Sequence, residues 1–158
     1  SRAGWIAPLL MVLTVVELRV PWPLREVPPV PDAYRMLAQL PRAGVLVLQF
    51  PYRTGEWFPH AEYMFWSMYH WQPMVNGYSD YIPGDIRDLA VPVNGFPDPE
   101  SFRLVRERNV RYVAVDWRTY NEAATEIMRA RFPPYAQYLQ PLLTTGPISL
   151  YEIVGWPQ

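Results

Sequence analysis

Proline is the feature of this sequence that most restricts its fold. The chain of 158 residues contains 19 prolines, and proline interrupts helices and is excluded from central strands. We therefore expect short helices and strands joined by stiff loops. Half of the residues are hydrophobic and 15% are aromatic, which is enough to fill the core of one domain and argues against disorder.

Charge and cysteine content exclude several classes of function. The formal net charge is −1, so the chain lacks the basic surface that a nucleic-acid partner requires. It contains no cysteine, which excludes disulfides, cysteine-ligated zinc and thiol catalysis. Neither a glycine-rich phosphate loop nor a Walker pattern occurs, so we predict no cofactor.

The first apolar stretch, residues 4–16, is almost free of polar side chains. Its roughly 13 residues fall short of the ~20 that span a bilayer. A buried soluble helix remains an alternative, although the stretch has no polar face. A signal-peptide core is a second alternative, although no small-residue cleavage pattern follows. Because the chain starts at Ser1 and not at methionine, we predict that residues 1–18 are the end of a transmembrane helix.

Residues 19–30 form a proline-rich linker, and residues 31–158 are expected to form one soluble domain. A helix begins at Pro31, and Val45–Phe50 has the continuous apolar pattern of a strand buried on both faces. A helix over residues 59–69 follows, and the segment 71–92 is predicted to be irregular. The apolar stripe of that helix is predicted to consist of Ala61, Met64, Phe65 and Met68.

The second half repeats the alternation of helix and strand. Asp98-Pro99-Glu100 is typical of a helix start, and Val110–Trp117 is a second core strand. A capping box over residues 119–122 opens a third helix, and a hairpin closes the chain around Gly146-Pro147. The sequence thus predicts an α/β fold: a mostly parallel sheet flanked by helices with a C-terminal antiparallel hairpin, preceded by the end of a transmembrane helix.

The stretch from Tyr69 to Tyr81 contains the densest mixture of functional groups. Aromatic rings stack on apolar faces of sugars and lipids, and amides and carboxylates bind hydroxyls, so this mixture suits carbohydrate or glycolipid recognition. The alternative is an ordered loop in which His70 and Asn76 cap backbone groups and the aromatic rings fill the core. The predicted substrate-binding residues are His70, Trp71, Gln72, Asn76, Tyr78 and Asp80.

No complete catalytic or metal site can be recognised. His60, Glu62 and His70 lack the spacing of a zinc motif, and no serine lies in a Gly-x-Ser-x-Gly elbow. We predict no metal site and no catalytic residue. Asp80, Asp85 and Asp88 lack the spacing of a calcium-binding loop and are interpreted as solvated turn carboxylates or helix caps. An arginine cluster is interpreted as a solvated face, with docking of an anionic headgroup as the alternative; it comprises Arg103, Arg106, Arg108 and Arg111.

Three phrases carry a resemblance to a known group of proteins. They are Tyr-His-Trp-Gln-Pro-Met-Val-Asn-Gly-Tyr-Ser at residues 69–79, Gly-Phe-Pro-Asp at 95–98 and Val-Arg-Tyr-Val-Ala-Val-Asp at 110–116. Over residues 31–154 the chain resembles the C-terminal region of bacterial polytopic membrane proteins similar to GT-C-type glycosyltransferases, which use polyprenyl-phosphate sugars. The first phrase is moderately specific, and the other two are weak on their own.

The resemblance implies a location and an architecture more than a reaction. The catalytic acid of GT-C enzymes lies in an early exported loop, so no residue of this chain matches it. The resemblance implies an exported accessory domain that shapes the substrate or acceptor side, with a lipid-linked sugar or glycan acceptor as partner. The alternative function is an interaction or assembly domain of a membrane protein that is not a transferase.

Overall fold

The computed structural model describes residues 2–19, 26–50, 57–77 and 84–157, and at residues 2, 3, 57–59, 85 and 86 it describes the backbone alone. These residues form six α-helices and four β-strands. The helices are α1 (Ile6–Glu17), α2 (Asp32–Leu37), α3 (Trp57–His70), α4 (Gly84–Val93), α5 (Pro99–Glu107) and α6 (Glu122–Arg131). The strands are β1 (Gly44–Leu48), β2 (Val110–Asp116), β3 (Leu139–Leu143) and β4 (Ile148–Ile153).

The four strands form one sheet in the order β1-β2-β4-β3. Strands β1 and β2 are parallel, whereas β4 is antiparallel to both of its neighbours. The α/β class is confirmed, but the prediction of a mostly parallel sheet is wrong, because the sheet is mixed. Helices separate β1 from β2 and β2 from β3, but the closing hairpin of β3 and β4 places β4 antiparallel beside β2.

Helices cover both faces of the sheet. Because side chains alternate along a strand, Val45 and Val47 pack on one side with α2 and α3, and Leu46 and Leu48 pack on the other with α4, α5 and α6. All five residues of β1 are sequestered between these layers. Burial on both faces explains why the strand consists almost entirely of valine and leucine.

Local signals located some elements correctly and missed another. Asp98 caps α5, because its carboxylate accepts from the backbone N–H of Ser101 while the Ser101 hydroxyl accepts from the backbone N–H of Asp98. Helix α6 is capped by Asn121, two residues later than the capping box predicted. The segment predicted to be irregular up to residue 92 contains α4, which includes Pro92 in its last turn. Because proline usually interrupts helices, the sequence pattern did not predict this ten-residue helix.

The prediction of the apolar face of α3 is wrong. Met64 and Met68 are exposed, whereas the buried side of the helix carries larger aromatic rings and an imidazole at each end. This buried side consists of His60, Tyr63, Trp66 and His70. Spacings of three and four residues put these side chains on one stripe. The hydroxyl of Tyr63 finds an acceptor inside, whereas Nε1 of Trp66 has no hydrogen-bond partner among the described residues.

Helix α1 is 12 residues long and has no buried residue. At 1.5 Å per residue it is about 18 Å long, less than the ~30 Å hydrocarbon layer of a bilayer. Among the described residues, no helix combines the length and the apolar character needed to cross a membrane. Of the predicted linker, residues 26–30 have no regular secondary structure, and residues 20–25 lie outside the described part.

Candidate functional site

The segment predicted to bind substrate starts at His70, the last residue of α3. Its imidazole is buried and stacked on the ring of Tyr34, with centroids 5.5 Å apart and an angle of 15° between the planes. Nδ1 accepts a hydrogen bond of 3.0 Å from the backbone N–H of Gln72, which assigns the ring proton to Nε2. Burial lowers the pKa of His70 to about 4, so the ring is neutral at physiological pH.

The Gln72 side chain joins the end of α2 to the start of β1. Its Oε1 accepts from the backbone N–H of Ala43 at 2.8 Å. Its Nε2 donates to the carbonyls of Leu37 at 3.0 Å and Leu40 at 3.1 Å. Carbonyls at a helix C-terminus have no partner within the helix, so the amide satisfies groups that would otherwise cost stability.

The Asn76 side chain pairs with the outer edge of β1 as a strand backbone would. Its Oδ1 accepts from the N–H of Val47 at 2.5 Å, and its Nδ2 donates to the carbonyl of the same residue at 2.7 Å. Two backbone hydrogen bonds precede this pair, from Val45 to Pro73 at 2.8 Å and from Val75 to Val45 at 2.9 Å. Residues 73–76 therefore cover an edge strand that would otherwise expose unpaired backbone groups.

Within the predicted substrate-binding set, the structure separates buried from exposed side chains. His70, Gln72 and Asn76 are buried and bonded to the backbone, whereas Trp71 is 76% exposed and has a left-handed backbone with φ of 53°. Tyr78 and Asp80 lie outside the described residues. Substrate binding by this segment stays a prediction, and Trp71 is the described member of the set that offers a ring to a ligand.

A charged network that the sequence analysis missed lies where β2 ends. The carboxylate of Asp116, whose side chain is 1% exposed, accepts from the hydroxyl of Tyr63 at 2.9 Å. It also accepts from Nε and Nη2 of Arg118 at 2.8 and 2.6 Å. The same guanidinium reaches Glu62 at 2.8 Å and lies over the ring of Trp66, 5.0 Å from its centroid.

The electrostatics of this network fix its protonation. Hydrogen bonds to Asp116 and Glu62 raise the pKa of Arg118, which stays a cation. Burial, and then the charge of Asp116, raise the pKa of Tyr63, so its hydroxyl remains a donor. Since both carboxylate oxygens of Asp116 already accept hydrogen bonds, the network is suited to fixing α3 against the end of β2. A carboxylate at the last position of a buried strand, two residues before an arginine, is the sequence signal that could have revealed it.

The residues considered for a metal serve other partners. Nε2 of His60 lies 3.3 Å from Nε2 of Gln49, Glu62 pairs with Arg118, and His70 is stacked on Tyr34. In the part of the chain that the structure describes, no three histidine, cysteine, aspartate or glutamate side chains gather as a metal ion would require. Asp88 is exposed, and the side chains at 80 and 85 are not among those described.

Counterions neutralise part of the arginine cluster. Arg103 pairs with Glu100 at 2.6 Å and with Glu107 at 2.5 Å, and Arg111 pairs with Glu152 at 2.6 Å. These surface pairs weaken the field that an anionic headgroup would meet. The pairing agrees with the interpretation of a solvated face.

Helix α1 presents a continuous run of exposed apolar side chains. Apart from Thr14 and Glu17, the helix consists of apolar residues, and each of its residues is exposed. We call this the α1 surface; its large side chains are Ile6, Leu9, Leu10, Met11, Val12, Leu13, Val15 and Val16. An apolar surface of this kind marks a membrane or protein contact.

Comparison with protein-family models, with curated protein sequences and with solved structures gave no match to this chain.

Proposed function

We propose that this chain is the exported C-terminal accessory domain of a membrane glycosyltransferase-like protein, where it shapes the substrate or acceptor side and is not catalytic by itself. The observation that carries the proposal is the α1 surface, which is apolar and has no buried residue. Such a surface is stable against lipid or against other apolar helices. The resemblance of residues 31–154 to the C-terminal region of GT-C-type proteins supports the transferase part.

The remainder of the domain supports attachment through α1. Helices cover both faces of the sheet, and residues 73–76 cover the outer edge of β1. These surfaces are already in contact within the chain, whereas α1 contributes nothing to the core. A helix in that position is suited to joining the domain to a bilayer or to neighbouring helices.

The charged network supports an accessory role. The carboxyl ends of parallel strands are where α/β folds commonly place reactive groups. Here Asp116 is bonded to Tyr63 and Arg118, and Arg118 is also bonded to Glu62. A general base must reach a substrate proton, and a buried, fully hydrogen-bonded carboxylate does not.

Vesicle flotation with a photoreactive ligand tests the proposal. The whole chain is mixed with phosphatidylglycerol and phosphatidylcholine vesicles that contain a polyprenyl-phosphate sugar with a photoreactive group on the sugar. We expect the chain to float with the vesicles and the sugar to label peptides from residues 31–157. The double substitution Leu10→Glu and Leu13→Glu should reduce the partition coefficient by at least about tenfold, because charges in an apolar layer are costly.

The double substitution Val91→Glu and Val154→Glu is the matched control, because both residues are exposed on the domain and the change adds the same two charges away from α1. It should float as the unmodified chain does. Chain that stays at the bottom of the gradient while forming concentration-dependent oligomers would contradict the proposal and favour the interaction or assembly function. Labelling confined to α1 would retain the membrane contact but refute a role on the substrate side.

A further inference from the structure

A groove opens beside the carboxyl ends of the two parallel strands, about 300 Å³ in volume. Phe50 comes two residues after β1, and Tyr120 comes four residues after β2; both line the groove. One side of α6, from Ala123 to Arg131, and the end of α4 complete its walls. In α/β folds this edge of the sheet is where small ligands commonly bind.

Two aromatic rings form an apolar platform at the mouth of the groove. The rings of Phe50 and Tyr120 are stacked with centroids 5.6 Å apart and an angle of 28° between the planes. The ring of Phe50 remains partly available, because this residue is 43% exposed. Its backbone N–H donates to the hydroxyl of Thr119 at 3.0 Å, and that hydroxyl donates to the carbonyl of Asp116 at 2.9 Å. The platform is thus held by the ends of both strands.

Polar groups border this platform. Oδ1 of Asn121 caps α6 by accepting from the N–H of Ala124 at 2.8 Å. Asn121 is exposed, and its side-chain NH₂ group is the donor that remains on this amide. Arg131 donates from Nη1 to the carbonyl of Asn94 at 2.7 Å, its one hydrogen bond among the described residues, and lines the groove. No described residue lining the groove is acidic, so the groove offers donors and aromatic faces but no site for a cation.

We propose that this groove binds the pyranose ring of a neutral saccharide. This inference rests on the proposed function, because it names the ligand of the substrate or acceptor side. One C–H face of the sugar packs on Phe50, and its hydroxyls accept from the amide of Asn121 and the guanidinium of Arg131. The volume suits a single ring and is too small for a polyprenyl chain. A lone guanidinium that already donates to a carbonyl is a weak site for a phosphate, which typically takes several charged donors.

Titration of the whole chain with simple glycosides, without lipid, tests the groove separately from membrane attachment. The probes are methyl β-D-glucopyranoside, methyl α-D-mannopyranoside and the methyl glycoside of N-acetylglucosamine. We expect saturable changes in the amide NMR shifts of Phe50, Tyr120 and Ala124 with at least one of them, with a Kd on the order of 1 mM. Phe50→Ala should raise that Kd about fivefold through the lost stacking contact.

Asn121→Asp keeps the helix cap, because aspartate caps as well as asparagine, but removes the NH₂ donor. It should weaken binding without changing the fold, so the test does not depend on Phe50→Ala alone. Trp5→Ala is the matched control, since it removes an exposed ring outside the groove, and Trp71→Ala tests the exposed ring of the segment predicted from the sequence. Loss of binding in Trp71→Ala with normal binding in Phe50→Ala would overturn the proposal, as would the absence of saturable shifts with all three glycosides. Failure here leaves the flotation result intact.

Discussion

At the scale of single residues, the three buried side chains of the predicted substrate-binding set, His70, Gln72 and Asn76, hold the fold together. The amides of Gln72 and Asn76 bond to backbone groups of β1 and its neighbours. The sequence shows an amide near aromatic rings, but it does not show whether that amide meets a sugar hydroxyl or an edge strand 29 residues earlier. The alternative interpretation, an ordered loop, predicted that Asn76 caps backbone groups. The sequence did not identify Val47 as the residue whose backbone Asn76 binds.

His70 makes the stability of the domain dependent on pH. Its pKa is about 4 in the folded chain, below the ordinary 6.5, because burial disfavours the charged ring. Between these values the unfolded chain binds the proton more readily, so stability is complete above about pH 6.5 and is lost as the pH falls towards 4. From about pH 7.5 to about pH 4.5 we expect a loss of roughly 2 kcal/mol from this group, measured by urea unfolding.

His70→Asn provides the comparison, because an asparagine oxygen can replace Nδ1 as acceptor for the N–H of Gln72 without titrating. Carboxylates titrate alike in both proteins, so the difference between the two pH profiles isolates the imidazole. The variant profile should be flatter over this interval. Parallel profiles would show that His70 is not the group responsible.

At the scale of elements, sequence periodicity located α3 but selected the wrong face. Both sides of this helix carry large apolar side chains, so helical spacing alone does not decide between Met64 with Met68 and Tyr63 with Trp66. Asp116 and Arg118 decide it, because the first accepts from Tyr63 and the second lies over Trp66. Asp116 ends β2 and Arg118 follows it, so both partners lie more than 50 residues from α3, beyond the reach of a local pattern. By contrast, the cap of α5 is a local signal and was predicted correctly.

The two faces of α3 should respond differently to truncation. Trp66 is 1% exposed, so Trp66→Ala should destabilise the domain by about 3 to 5 kcal/mol through the cavity and the lost contact with Arg118. Met68 is 52% exposed, and Met68→Ala should change the free energy of unfolding by less than about 0.5 kcal/mol. Urea unfolding of both variants measures the difference. Equal destabilisation would mean that the stripe predicted from the sequence is the packed one.

At the scale of the whole molecule, the parallel pair follows from the sequence and the position of the hairpin does not. Two doubly buried strands with a helix between them predict β1 beside β2. The local pattern does not show whether β3 or β4 of the closing hairpin pairs with β2. In the structure β4 does, with Val113 opposite Tyr151 and Ala114 opposite Leu150. Long-range register of this kind is decided by packing on both faces of the finished sheet.

The same whole-molecule arrangement predicts that α1 contributes nothing to the stability of the domain. No residue of α1 is buried, and both hydrophobic clusters are built from residue 30 onwards. A chain of residues 27–158 should therefore keep its Tm within about 2 °C, since a change of 1 kcal/mol shifts Tm by about 2–4 °C in domains of this size. It should also lose vesicle binding. Calorimetry and flotation of the two chains measure both effects, and a fall of more than about 5 °C would show that α1 packs on the domain in solution.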